Sequence, residues 1–520
     1  MISFSSAASA SDISSIALQS FAGAIVLGIV YYLITGGQQP VAGIPIIGLD
    51  RKDKKSWPWQ SEPAPFVLHA NELLERGKEV SRGIFQVKAG AGYKVILPNR
   101  FAHELRNNPD LSFAAAGQKD FHANYPGFEG FREGLRPDGL MGDVVRVKLT
   151  QSLAIVTADI IEEADYAVKL WLGDISDWTT VYPKQGLLDV IARASGRIFG
   201  GKDLSRDKEW IELSKAYTVA VFAASNDLHK WHPLLQPLAQ FTESSCKIAR
   251  EQVAAARRVV APQVDRRLKA RDAALAEGAS SKSIPDVFSW LVEMGKGRKI
   301  NFAEGQLNLS MVALHTTTEM ATRCLLALCE HPEIVQPLRD EINEVLGQDG
   351  WAKTAFHKMK LLDSFLKECQ RHRQMATMSM MRVTTKPITL SDGTKIPRGA
   401  YIQVCDDATE DPDIYPEPEK FDAWRYLKMR QRPGHENLHQ FVSTSPDNLG
   451  FGHGQHACPG RFFASTEIKI IISSLLLQFD WRFGPGQKSL PDLQYEHNFT
   501  IDPETALQCR KRVPEIDVVG

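Results

Sequence analysis

The 520-residue chain is poor in cysteine and has no surplus of charge. Its seven cysteines are Cys246, Cys324, Cys329, Cys369, Cys405, Cys458 and Cys509. They are odd in number and contain no C-x-x-C pair, so neither a disulfide scaffold nor a zinc module is indicated, and a reducing compartment is expected. Lys plus Arg number 61 against 62 Asp plus Glu, a net charge of −1. That balance gives no electrostatic reason to expect nucleic acid as a partner. No repeat period shows, no low-complexity tract separates domains, and no G-x-G-x-x-G nucleotide fingerprint occurs. With 43% apolar and 24% charged residues, disordered, collagen-like and polytopic membrane classes are excluded. Length alone suggests roughly three or four domains.

One long apolar run is present, Ile16 to Ile34, broken only by Gln19 and Ser20. Nineteen residues at ~1.5 Å rise span roughly 29 Å, close to a bilayer's hydrocarbon thickness. Tyr31 and Tyr32 sit where an interfacial belt belongs, and no Lys or Arg precedes Arg51. The expectation is a membrane anchor at 16–34 after a lumenal segment at 1–15, with a cleaved signal peptide or a buried helix as the rival readings. Arg51, Lys52, Lys54 and Lys55 place the remainder of the chain in the cytoplasm. Pro40 and Pro45 make residues 35–50 a stiff hinge before a globular body at 51–520.

Within that body, Cys246 to Ala276 has helical spacing, and its basic residues read as a solvated face rather than a partner patch. Glu277 to Pro285 reads as a surface loop. A long helix is expected over Asn301 to Glu330, with Asn301 and Glu304 as a capping box. Another should end near Arg373, a hairpin should turn at Asp392-Gly393 within Ile388 to Val404, and a last helix should run from Arg461 to Gln478. The balance is mainly α, an α+β chain with one large helical body and a smaller β-rich part.

The densest chemical signal is Gly450 to Gly460, GFGHGQHACPG. Its glycines free the backbone, and Pro459 suits a first helical position after Cys458. A sulphur at a helix N-terminus is stabilised as thiolate, fit for a nucleophile or a metal ligand. The ordinary alternative is a buried apolar cysteine.

This stretch resembles the haem-binding signature of the cytochrome P-450 haem-thiolate monooxygenases, F-x-x-G-x-R-x-C-x-G. Phe451, Gly454, Cys458 and Gly460 match it, while His456 stands where the family has a propionate-contacting arginine. The resemblance implies a cytochrome P-450 fold and Cys458 as axial ligand of haem b (iron protoporphyrin IX) iron. Glu368 and Arg371 resemble the family's E-x-x-R pair, and Phe421 to Arg425 (FDAWR) its meander, with Ala423 for proline. Glu368, Arg371 and Arg425 are thereby implied to lock the core that holds the thiolate loop. Ala313 to Thr318 (ALHTTT) resembles the oxygen-activation groove, with Thr317 on the proton-delivering threonine. Leu314 replaces a small glycine and Thr316 replaces an acid, leaving His315 or ordered water as substitute relays. The residue-level alternative is hydroxyls back-bonded within the helix. Arg382 resembles a propionate anchor. So does Arg146, although Gly142 replaces the motif's tryptophan and Lys148 competes nearby. Phe113, Phe121, Tyr125, Phe128 and Phe131 crowd the region of the family's substrate-contacting loop and suit either an apolar lid or ordinary packing.

The likeness spans roughly residues 40 to 515 and is greatest to fungal members of the endoplasmic reticulum. It implies insertion of one atom of O₂ into an apolar small molecule, with terpenoid, indole-terpenoid and polyketide scaffolds as candidates. Electrons would come from NADPH through a separate NADPH–cytochrome reductase, with a b-type cytochrome as a second possible donor. A haem-thiolate isomerase or dehydratase working without O₂, and a non-catalytic haem sensor, stay open. The sequons at Asn308 and Asn498 face the cytoplasm in this topology and are expected to be unmodified.

Overall fold

The computed structural model describes residues 10–35, 39–48, 65–80, 83–276 and 284–516. Helix α1 (Ala10–Thr35) covers the expected anchor. The anchor itself requires correction, because among the described residues no helix is long and apolar enough to cross a membrane. Leu18, Phe21 and Leu27 of α1 are exposed. The basic cluster at 51–55 lies outside the described residues, as does most of the Glu277 to Pro285 loop.

The hinge does not hang free. Gln86 on strand β1 (Phe85–Ala89) donates through Nε2 to the Val41 and Ile44 carbonyls at 2.8 and 2.7 Å, and its Oε1 accepts the Val41 N–H at 2.8 Å. β1 leads a five-stranded sheet with β2 (Gly92–Leu97), β3 (Leu111–Ser112), β4 (Met378–Thr384) and β5 (Tyr401–Cys405), in the order β1-β2-β5-β4-β3. β2 and β5 pair in parallel, Val95 opposite Ile402, and the other pairs are antiparallel. The expected Ile388–Val404 hairpin is shorter. Ile388–Thr389 pairs with Lys395–Ile396 around the Asp392-Gly393 turn, where Gly393 has φ +88°, but the Tyr401–Cys405 segment joins the main sheet instead. Tyr401, Ile402, Val404 and Cys405 are buried there, a larger apolar gain than a two-strand ribbon offers.

Helices form the rest. α2 (Thr150–Leu172) packs on α3 (Pro183–Gly200), and α3, α4 (Lys208–His229) and α5 (Ser244–Ala276) pack about α6 (Phe302–Glu330). α7 (Lys360–His372) and α8 (Arg461–Gln478) complete the main core, where Leu325, Leu362, Phe365, Ile471 and Leu475 are fully buried. The expected bounds of the long helix and of the last helix are borne out. The capping box is not: Asn301 occupies the N-cap, but its side chain donates to Glu133 and Glu304 pairs with Arg257. The basic face of α5 meets this chain's own carboxylates, Arg258 on Glu209 and Arg267 on Asp286, which satisfies it internally.

Candidate haem-thiolate site

The site gathers around the loop between β5's neighbourhood and α8. The Cys458 N–H donates to the Phe451 carbonyl at 2.8 Å, closing the loop, and Phe451 packs edge-on against buried Phe441 at 5.1 Å. Gly452 and Gly454 have φ +68° and +78°. A Cβ on Gly454 would lie 2.5 Å from the Arg106 carbonyl oxygen, so only glycine fits there. α8 starts at Arg461 as expected, so Pro459 lies two residues before the helix rather than at its first position. Burial pushes the Cys458 thiol up, while the N–H groups of Gly460 and Arg461 and the Arg461 guanidinium favour thiolate. The other six cysteines are free thiols.

Beneath the loop, Glu368 is fully buried and accepts from two arginines. Arg371 donates to its Oε2 and Oε1 at 2.9 and 2.8 Å, and Arg425 Nε donates to both oxygens at 3.1 and 3.2 Å. The remaining guanidinium N–H groups end on the carbonyls of Thr409, Pro416, Pro418 and Lys420. A buried ion pair survives desolvation only when its leftover donors are satisfied, as here. Glu368, Arg371 and Arg425 are thus brought together as expected.

On α6, the Thr316 hydroxyl donates to the Val312 carbonyl at 2.9 Å and that of Thr318 to Leu314 at 2.7 Å. Thr317 is buried, and its hydroxyl has no hydrogen-bond partner among the described residues. Back-bonding therefore accounts for its neighbours and leaves Thr317 uncommitted. His315 points elsewhere: its Nε2 meets the Lys215 carbonyl on α4 at 3.1 Å, which removes it as a substitute relay. Leu314 is buried, filling the place of the groove's glycine.

Arg382 reaches the site through a β-bulge. Ser379 opposes Val404 but Arg382 opposes Ile402, so β4 carries one extra residue, with Met380 at φ +54°. A one-residue insertion reverses which face later side chains take. Arg382 is buried, donates among the described residues only to the Met381 carbonyl at 2.7 Å, and lies 5.8 Å over the Phe113 ring, which in turn sits 5.7 Å from His456. Burial pushes the Arg382 guanidinium down to about 10. Desolvation and the charges of Arg382 and Arg146 push His456 down to about 4, making it a neutral donor. Lys148 is engaged by Glu293, whereas no carboxylate among the described residues pairs with Arg382 or Arg146. Buried or clustered cations without an anion are costly, and a dianionic macrocycle beside Cys458 would resolve that cost. The residues present fit haem. Arg146, Gly454, Ala457, Pro459, Arg461 and Phe462 also line a concavity of about 340 Å³ beside the loop.

Among the aromatics, Phe121 stacks on Phe131 at 4.4 Å and both meet Phe222 of α4 edge-on. Phe128 is buried in a core cluster, as ordinary packing requires. Sequence reasoning missed the loop's outer supports, Asp406, Asn99 and Asn107, which bond to Leu449, Pro446 and Gln455. The adjacent acids Asp406-Asp407 after an apolar strand were the one available signal.

Comparison with known proteins agrees with this geometry. The sequence model of the family described as Cytochrome P450 matches residues 159–509. The chain is 39% identical over 482 residues to the cytochrome P450 monooxygenase bsc2 of Alternaria brassicicola, covering 92% of this chain and 91% of that one. It is 37% identical to bsc11 of the same organism, covering 95% and 94%, and 35% identical to ptmU of Penicillium ochrochloron, covering 96% and 97%. The chain belongs to the cytochrome P450 family of monooxygenases, oxidoreductases that use haem, O₂ and a redox partner.

Proposed function

We propose that this chain inserts one oxygen atom from O₂ into an apolar small molecule of fungal secondary metabolism, of terpenoid, indole-terpenoid or polyketide type. The observation that carries the haem-thiolate reading is Cys458 at the N-terminal end of α8 amid Arg382, Arg146 and His456, which lack anionic partners among the described residues. Bound haem b would supply the iron that binds and activates O₂. Cys458 would ligate that iron, with Phe451 and Gly454 shaping its loop. Arg382, Arg146 and His456 would hold the propionates. Thr317, with its free hydroxyl, would hold and pass protons at the reacting oxygen. Glu368, Arg371 and Arg425 would keep the loop in place.

Electrons would come from NADPH through a separate reductase, with a b-type cytochrome as a possible second donor. The basic concavity beside the loop supports an acidic partner surface. Exposed apolar side chains on α1 support attachment to the endoplasmic-reticulum membrane, with residues 51–520 as one cytoplasmic catalytic domain. Fractionation of cell lysate tests that placement, and recovery in the soluble fraction rather than with microsomes would refute it.

The decisive experiment is the carbon-monoxide difference spectrum of the reduced protein, followed by NADPH and O₂ consumption with reductase. A thiolate-type Soret band with O₂-dependent product is expected. A non-thiolate band would refute the ligand assignment. Product formed without O₂ would select the isomerase reading instead.

A further inference from the structure

The thiolate loop is held at its start by an acid far from it in sequence. Asp406 follows β5 and is buried. Its Oδ1 accepts the Leu449 N–H at 3.1 Å, and its Oδ2 accepts from Gln374 Nε2 at 3.3 Å. Gln374 Nε2 also donates to the Thr409 hydroxyl at 2.7 Å, and that hydroxyl donates to the Asp406 carbonyl at 2.8 Å. The Asp406 N–H donates to the Thr377 carbonyl at 2.9 Å, so the acid is fixed from three sides.

What it grips matters for the ligand. The Leu449 carbonyl accepts the Gly452 N–H at 2.7 Å and the Ser379 hydroxyl at 3.3 Å, and Phe451, between them, accepts the Cys458 N–H. The chain of contacts thus runs from Asp406 to Leu449, through the turn at Gly452, to the residue that bears the sulphur. Neighbouring Asp407 accepts the Asn99 N–H at 3.4 Å, and Asn99 Nδ2 donates to the Pro446 carbonyl at 2.6 Å, a second and longer tether. Among the described residues, Asp406 is the one carboxylate bonded directly to the main chain of 446–460.

We propose that Asp406 is a positioning residue for the haem thiolate, acting through the Leu449 amide, and that its ionisation makes the ligand's electron donation depend on pH. This rests on the haem-thiolate reading above. The groups facing Asp406 are Cys405 from β5, Asp407, Glu410 and Tyr415 from the following segment and Lys367 from α7. Burial, reinforced by Asp407 and Glu410 and opposed by the Leu449 amide and Lys367, pushes Asp406 up to about 7. Above that pH the new negative charge strengthens the bond to Leu449 and favours ferric over ferrous iron. Below it, the neutral acid still accepts from Leu449 but adds no charge. Positioning of first-sphere ligands by such outer partners is worth ~10–100-fold in cofactor affinity.

The test uses the full-length haem-loaded protein with Asp406→Asn and Asp406→Ala. Asn retains an acceptor for Leu449 and cannot ionise; Ala removes both. Wild-type protein should show a reduction potential that falls across a step near pH 7, and Asp406→Asn should lose that step while keeping the thiolate spectrum. Haem transfer to apomyoglobin should accelerate ~10–100-fold in Asp406→Ala. An unchanged step in Asp406→Asn, or haem retention in Asp406→Ala equal to wild type, overturns the proposal. If wild-type protein itself lacks a thiolate spectrum, the haem reading fails separately. Leu449 amide exchange in the haem-free chain then still decides the contact, since protection unchanged by Asp406→Asn and Asp406→Ala would refute it. Should Asp406→Ala not fold, the Asp406→Asn titration alone decides.

Discussion

Arg382 is the residue whose surroundings are least self-sufficient. A buried guanidinium held, among the described residues, only by its neighbour's carbonyl raises the free energy of the haem-free chain. Arg382→Leu should therefore raise the thermal midpoint of the haem-free protein while weakening haem retention, two shifts of opposite sign readable by calorimetry and haem transfer. Thr317 gives a different kind of prediction. Thr317→Ala should keep the carbon-monoxide spectrum but divert reductant to peroxide, measured as NADPH consumed per product. Thr318→Val removes only a hydroxyl bonded to the Leu314 carbonyl and should leave that ratio alone. Equal uncoupling in both variants would show that helix geometry, rather than the Thr317 hydroxyl, controls proton delivery.

Among elements, α7 and the meander are joined at one carboxylate. Glu368→Gln would leave Arg371 and Arg425 buried with carbonyl acceptors but no anion, costing about 3–5 kcal/mol. The expected outcome is a large drop in the urea midpoint and loss of bound haem, and a midpoint near wild type would refute the lock. α6 shows how far an element is legible beforehand. Its ends are set by Asn301 and Pro332, but the cap bond predicted for Asn301 is replaced by one to Glu133, which approaches from 168 residues away. The last helix was legible for the same reason, apolar periodicity bounded by Pro459-Gly460 and Phe479. The hairpin at 388–404 was half legible: alternation announced strands, yet the choice of partner for Tyr401–Cys405 depended on β2, some 300 residues earlier.

For the whole molecule, buried ionisable groups set opposing pH limits. Glu467 is fully buried, with its Oε1 accepting from Ser195 at 2.8 Å, and burial pushes it up to about 8 from an ordinary 4.5. A raised carboxyl binds its proton better when folded, so its stabilisation is complete below about 4.5 and is lost as pH rises towards 8. His229 and His497, pushed down to about 4 mainly by burial, act in reverse: their contribution is present above about 6.5 and lost as pH falls towards 4. Stability should peak between these limits. Glu467→Gln should flatten the alkaline side in thermal melts against pH and leave the acid side unchanged.

The sequence by itself determined the helical class and the two long helices, because apolar spacing and stop signals are local, and a resemblance of short motifs singled out Cys458, Glu368, Arg371 and Thr317 as candidates. It overreached at Ile16 to Ile34, where an apolar run was equated with a span. The tertiary structure alone decided which threonine hydroxyl stays free, that His315 faces α4, that a bulge aims Arg382 at the site, and that Asp406 holds Leu449 from 43 residues away. Each of these depends on a partner brought near by packing, and packing partners have no fixed spacing to read.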